Sequence, residues 1–231
     1  MLYKRIYSIA VFLTSIFAFF IWWSLTDIVN DLIPSYILKF LVFTTSTFGF
    51  FKIFVSAMAL FIERIQCAKK IILSSSYFEG IWVGYYYTPI DDKPVLFYQI
   101  ITQTIECVDI ETKAYNVEGM KERGFWKSID KVYINPRNPK FSYQYYFDSN
   151  SDESMNTRGA FTATILHESE KLSIPCKMEG YAFNHYSRKK IEMKQIKVSD
   201  RTAIEHDKEE KLKQDALNFY NSSTNQKEVS K

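Results

Sequence analysis

Cysteine, histidine and glycine are all scarce in this 231-residue chain, with three, three and seven copies. Cys67, Cys107 and Cys176 are odd in number, far apart and without a Cys-x-x-Cys pair. That excludes a disulfide framework and a thiolate metal site, and fits reduced thiols in a cytosolic setting. His167, His185 and His206 have neither metal-ligand spacing nor a nucleophile partner, so no metal is expected. The glycines never assemble a dinucleotide fingerprint or a phosphate loop, and Gly-x-Ser-x-Gly and His-Glu-x-x-His are also missing. Asp91-Asp92 and the acids between 148 and 153 fall in loop contexts where solvation explains them. No catalytic residues stand out, and the balance is for a binding protein over an enzyme. A net charge of +3 is too mild for a DNA or RNA partner. Internal repeats and low-complexity tracts are absent.

What the chain has in quantity is apolar and aromatic side chains, and they are unevenly spread. Residues 6–26 carry no charge, and residues 37–62 carry only Lys39 near one edge and Lys52 in the middle. Roughly 20 apolar residues at 1.5 Å per residue cross a hydrocarbon core, and backbone amides without partners in lipid force a helix. Residues 1–73 are therefore read as a transmembrane hairpin, with spans at about 6–26 and 37–62 and Pro34 in the short link. A signal peptide fits the first run less well, because a small-residue cleavage site is missing and Trp22-Trp23 looks like an interfacial belt. Lys4 and Arg5 precede the hairpin and Arg64, Lys69 and Lys70 follow it, which puts both termini in the cytoplasm. Lys52 either faces a helix bundle or water path, or snorkels to an interface. Thr44 to Thr47 and Gly49 suit helix–helix packing, or hydroxyls bonding back to their own helix.

From residue 77 the pattern changes to short aromatic and β-branched runs separated by turn signals. Strands are expected at 78–88, 95–107, 108–117, 126–134, 141–147, 159–167, 177–184 and 190–198. Val95, Phe97, Ile101 and Ile105 share one side of the second, interrupted by Gln99 and Gln103. Eight evenly spaced strands without helices between them predict a sandwich or a barrel. A barrel is favoured because it leaves no open edges and can be filled by side chains or hold one small ligand. The fold class is thus a transmembrane hairpin followed by an all-β, eight-stranded antiparallel barrel over 77–198, lipocalin-like in outline. Residues 199–231 follow as a charged helix, with a disordered tail from Asn221.

Three features could carry binding. Gly80-x-Trp82-x-Gly84 marks a strand able to coil strongly or admit a ligand, although Trp82 could simply plug the core. Tyr85, Tyr86, Tyr87, Tyr98, Tyr143, Tyr145, Tyr146 and Tyr181 fall on strands, each with a stacking face and a hydrogen-bonding tip. Tyrosine is also an ordinary strand residue. Lys127, Lys131, Arg158 and Arg188-Lys189-Lys190 lie near strand ends, where they could meet phosphate, solvent or anionic lipid.

A two-span hairpin leading directly into an eight-stranded barrel that opens EGIWVGYY resembles the two-transmembrane, β-barrel effectors of bacterial CBASS anti-phage defence systems. The likeness covers residues 1 to about 198 and lies mainly in architecture. It implies a barrel that binds a cyclic dinucleotide made by a partner nucleotidyltransferase. Binding would drive homo-oligomerisation in the inner membrane, and the resulting membrane disruption would kill the infected cell. No cofactor beyond the activating ligand is implied. For such a ligand the candidates are Trp82, Tyr86, Tyr143 and Tyr145 for the bases, Arg158 for a phosphate and Thr162 for a polar edge. The competing readings are a membrane-tethered barrel for a lipid or other hydrophobe, and a ligand-free membrane scaffold. An inward-facing Arg or Lys would favour the nucleotide, and a wholly apolar interior the hydrophobe.

The topology is open to direct test. A single thiol introduced as Ser35→Cys, in a chain whose three cysteines are replaced, is expected to react with an impermeant maleimide outside intact spheroplasts. Protection of that thiol would reverse the orientation.

Overall fold

The computed structural model describes residues 8–9, 11–20, 23–24, 36–89, 91–104, 107–129, 132–135, 140–150, 156–166, 176–184, 189–202 and 208–229. The chain divides into two compact units, Met1–Leu73 and Ser74–Lys231.

In the first unit, residues 11–20 form α1, followed by the 29-residue α2 (Tyr36–Arg64) and α3 (Gln66–Leu73). At 1.5 Å per residue α2 is about 43 Å long. Among the described residues no helix is long and apolar enough to cross a membrane. Parts of the first predicted span, the link and many α2 side chains lie outside the description. Phe17 of α1 stacks on Phe54 of α2 at 6.1 Å. Away from that contact, Phe12, Phe19 and Phe20 of α1 and Leu41, Phe48, Ile53 and Phe61 of α2 are exposed. Lys52 lies among them on the exposed face. Ser15 and Thr45 donate to the carbonyls of Val11 and Leu41, both at 2.8 Å. These hydroxyls satisfy their own helices.

The second unit is an antiparallel sheet of β1 (Gly80–Tyr87), β2 (Pro94–Gln103), β3 (Val108–Asn116), β4 (Glu122–Ser128), β5 (Tyr133–Asn135), β6 (Lys140–Ser149), β7 (Thr157–Leu166), β8 (Lys177–Asn184) and β9 (Lys190–Ser199). Neighbours run β4-β3-β2-β1-β9-β8-β7-β6, and β4 pairs with β6 to close an eight-stranded barrel, with β5 added beside β6. The strand predicted over 126–134 is in fact two pieces. β4 begins earlier, at Glu122, and ends at Ser128, and the separate strand β5 begins at Tyr133. The β1–β2 turn is tied by Thr88, whose amide donates to the Lys93 carbonyl at 2.9 Å and whose hydroxyl accepts from the Lys93 amide at 3.0 Å.

Strand alternation sorts side chains between the inside and outside of the closed wall. Trp82, Phe97, Ile101, Ile110, Phe141 and Phe161 are buried together inside. Two glycines admit large rings there. A Cβ on Gly84 would meet Phe97 Cζ at 2.6 Å, and one on Gly159 would collide with the Tyr145 ring. A short 3-10 turn, Ser74–Ser76, leads a buried segment across one end of the barrel. The Gln103 side chain pins it by accepting from the Phe78 amide and donating to the Ser76 carbonyl, both at 2.8 Å. Trp82 Nε1 donates to the Phe78 carbonyl at 2.9 Å. Lys197 lies 4.5 Å from the Tyr77 ring and 5.9 Å from Trp82 while ion-paired to Asp200 at 2.7 Å.

On the outside, α4 (Glu209–Val229) covers β1 and β2 with buried Leu212 and Ala216. Tyr85 packs 5.7 Å from Phe219 and 5.2 Å from Tyr220. Tyr115 donates to Glu209 Oε1 at 2.7 Å, and Lys113 and Lys213 stand 3.5 and 3.9 Å from the same carboxylate. The Tyr115 bond, joined by these cations, holds the Glu209 carboxyl below its usual range. The helix runs to Val229, past Asn221, where the sequence reading began a disordered tail. Phe219 and Tyr220 anchor it, and Ser222 and Thr224 return their hydroxyls to the Asn218 and Tyr220 carbonyls. The folded domain therefore needs more than 77–198: it begins at Ser74 and includes α4.

Trp82 is fully buried. In a chain that starts at Ser74, Trp82→Ala is expected to lower unfolding free energy by about 3–5 kcal/mol in urea titration. A loss within about 0.5 kcal/mol would be the mark of a surface residue.

Candidate functional site

The inward positions form two levels beyond the end sealed by Ser74–Glu79. The farther level is aromatic and centred on Trp126. Phe97 lies 5.4 Å from its ring, Tyr86 6.2 Å, and Tyr145 and Phe147 6.4 Å each. The register shift at Ala114/Tyr115 leaves Arg123 as the extra, bulged residue of β4, the kind of irregularity that re-aims a side chain. The Arg123 charge reaches Tyr86. Burial pushes the Tyr86 phenol up to about 12, and Arg123 partly opposes this.

The nearer level is polar. Gln99 Nε2 donates to Tyr143 Oη at 2.9 Å and to Thr112 Oγ1 at 3.2 Å, and Trp126 Nε1 donates to Tyr143 Oη at 3.3 Å. Gln195, on the opposite side of β1, turns its amide nitrogen to Met178 Sδ at 3.8 Å. Burial raises Tyr143 to about 12, tempered by the bonds from Trp126 and Gln99. Tyr145 is raised by burial and then by Tyr143 and Tyr86. All three inward tyrosines stay neutral at physiological pH, and each keeps its phenolic proton.

Four of the six residues singled out from the sequence, Trp82, Tyr86, Tyr143 and Tyr145, face this interior. Tyr143 and Tyr145 lie 6.4 Å apart. Arg158 and Thr162 do not join them. On β7 it is Gly159, Phe161 and Ala163 that point inward, so a period of two turns residues 158 and 162 to the outer surface. Arg158 is exposed and pairs across β6 with Tyr146, and Thr162 pairs across β8 with Tyr181. Lys127 is spent on an exposed ion pair with Glu111 at 2.6 Å. Lys131, Arg188 and the three histidines lie outside the described residues. Among the described residues Lys197 faces inward, at the sealed end, where it pairs with Asp200.

Sequence reasoning passed over Gln99, Gln195, Trp126 and Arg123. Gln99 did carry a signal, because it interrupts the apolar side of β2, and Gln195 continues the inward series of Met193 in the same way. Arg123 carried none, since its placement depends on a bulge. Among the described residues no group of three or more His, Cys, Asp or Glu side chains is placed to hold a metal.

No family model and no curated protein matches the chain. Among solved structures it is similar to a redesigned β-barrel, at 10% identity over 54% of this chain and 95% of that one, with a TM-score of 0.40. It is also similar to the amine binding protein of Rhodnius prolixus in its tryptamine complex, at 13% identity over 59% and 69% with a TM-score of 0.37. A biogenic amine-binding protein follows, at 12% over 59% and 70% with a TM-score of 0.36. Likeness at this level concerns the course of the chain and says nothing of ligand.

Tyr143→Phe leaves the Gln99 and Trp126 donors buried without their acceptor, and is expected to cost about 1–3 kcal/mol of stability. Arg158→Ala and Thr162→Ala, on the outer surface, are expected to stay within about 0.5 kcal/mol. Urea titrations of the three variants check the inside–outside assignment.

Proposed function

We propose that this protein is a membrane-anchored receptor whose barrel takes up a ligand bearing a flat nitrogen heterocycle. The supporting observation is the convergence of Tyr86, Trp126, Tyr145 and Phe147 at one level inside the barrel, with a cation at its rim. Stacking on aromatic faces contributes roughly 1–3 kcal/mol per base. Neutral phenols can bond a base edge without repelling an anion. The interior supplies no inward carboxylate from any of the residues at these two levels, and Arg123 provides positive charge where a phosphate would remain outside. A purely lipid-binding barrel has no use for the polar level of Gln99, Thr112, Tyr143 and Gln195.

Within this reading, and in line with the architectural resemblance, the ligand is a cyclic dinucleotide. It has two bases for aromatic platforms and two phosphates for a basic rim. Arg123 replaces Arg158 as the phosphate contact, because Arg158 lies on the wrong side of the wall. The exposed phenylalanines and leucines of α1 and α2 support insertion in a bilayer, where such side chains find an apolar solvent. Two helices are too few to line a pore. The response to ligand is therefore self-association, favoured only if the ligand binds the assembled form more tightly than the dispersed one. The protein acts as a receptor and effector without catalysis of its own.

Isothermal calorimetry of the detergent-solubilised chain against cyclic dinucleotides and larger cyclic oligonucleotides tests the reading. Micromolar or tighter binding is expected, with an increase in sedimentation coefficient on addition of ligand. Arg123→Ala should weaken binding about ten- to a hundred-fold, the loss of one charge-assisted bond. Absence of heat with every compound would overturn the cyclic-nucleotide reading.

A further inference from the structure

Inside the barrel, two glutamine carbonyl oxygens have no hydrogen-bond partner, Gln99 Oε1 and Gln195 Oε1. Both residues are 1% exposed, so water does not reach them from the surface. A buried acceptor without a donor is destabilising, and native interiors hold few such groups. Among the described residues two such glutamine oxygens occur on the inner faces of β2 and β9, the strands that flank β1: Gln99 opposite Trp82 and Gln195 opposite Gly84.

Their surroundings differ from those of a structural amide. The Gln99 nitrogen donates to both Thr112 and Tyr143. Tyr143 Oη accepts two bonds and, with its phenol held neutral by burial, still has a proton to give. Around Gln195 the neighbours are the Met178 sulfur and, packed over Gly84 where a Cβ would stand, the Phe97 ring. A trapped water needs two to four polar partners, and Gln195 is flanked by a thioether, an aromatic ring and a bare backbone. A planar ring with N–H groups on its edge suits this setting better. Its face meets the aromatic wall and its N–H groups meet the two oxygens.

We infer that Gln99 and Gln195 are specificity-determining residues that select a ligand whose heterocycle carries an exocyclic amino group, as in adenine or cytosine. Tyr143 donates to the ring nitrogen beside that group. The inference rests on the barrel's being a receptor, but not on the ligand's being cyclic or carrying phosphate. A ring without the amino group would leave an oxygen unmet in the complex as in the free protein. Discrimination therefore comes from the buried acceptor, a stronger filter than pocket size.

The test uses the full chain in nanodiscs and reads binding by quenching of tryptophan fluorescence. Two pairs of probes differ only in the amino group: adenosine against purine riboside, and cytidine against 2-pyrimidinone riboside. At least one amino-bearing member is expected to bind ten-fold or more tightly than its counterpart. Gln99→Met and Gln195→Met should reduce that ratio toward one. Tm is expected to be unchanged or raised in Gln195→Met, which gives up only a weak contact to sulfur. It is expected to fall in Gln99→Met, which also removes the donor to Tyr143 and Thr112. The wild-type ratio stands as a test even if a variant fails to fold. Equal affinity within both pairs, no binding of any nucleoside, or a ratio unaltered in both folded variants would overturn the inference. Binding of the amino-bearing nucleosides without binding of any cyclic dinucleotide would support it and defeat the cyclic-dinucleotide reading. Cyclic dinucleotide binding with ratios of one would do the reverse.

Discussion

Everything distinctive about the folded domain depends on one pairing, the antiparallel contact of β4 with β6. Without it the sheet would be an open ribbon with two edges, and alternation would only divide one face from another. With it, the odd-numbered positions of β2, β6, β7 and β9 become an interior removed from water. A threonine or arginine one residue away belongs to the outside. The β3–β4 register shift lies next to this seam, where a bulge bends the wall. The strand that carries this irregularity also carries Arg123, whose charge acts on the partly buried Tyr86.

Closure also explains which parts of the molecule the sequence disclosed. Seven of the eight barrel strands fall close to the stretches predicted for them, because each carries its own alternation and turn residues. The exception is 126–134, where the run FWKSIDKVYI reads as continuous. Strand β4 ends at Ser128, and β5 is a separate short strand beside β6. Trp82 was legible as an inward residue because glycines flank it at the spacing of two. Arg158 and Thr162 were misjudged because RGAFTAT has small residues at alternate positions, so its pattern does not say which set faces in. Neighbouring strands decide that, through the pairing of Phe161 with Tyr143. The role of α4 was hidden for another reason. Its outer-barrel partners are Tyr85, Tyr98 and Tyr115, and nothing in their strands signals that a helix some hundred residues later covers them.

The polar level is the place where local rules and the fold conflict. Apolar residues would fill the positions of Gln99, Thr112 and Gln195 without leaving any acceptor unmet, and the strand pattern around them calls for such residues. Gln103 shows what a structural glutamine looks like in the same strand. Both ends of its amide are used, one on the Phe78 amide and one on the Ser76 carbonyl, and it thereby seals the barrel. Gln99 uses one end and Gln195 only weakly uses one. Three glutamines on inward positions therefore divide by their bonding, and the two incompletely bonded ones lie in the level between the sealed end and the aromatic one.

Net stability of a domain is only about 5–15 kcal/mol, so two unmet acceptors at about 1–3 kcal/mol each are a substantial fraction of it. The packing around them offsets that cost. Trp82, Phe97, Trp126 and Phe141 are held ring against ring, and Lys197 with Asp200 clamps the end below. A barrel so tightly filled at its sealed end does not need polar groups at mid-height to fix its register, because the hydrogen-bond ladder already does so on every strand. What those groups add is a defined set of acceptors and one phenolic donor, fixed before any ligand arrives. Fixing them in the free protein lowers the ordering cost that binding would otherwise incur. On the proposed receptor reading, the arrangement gives up some stability of the barrel in exchange for ligand selectivity.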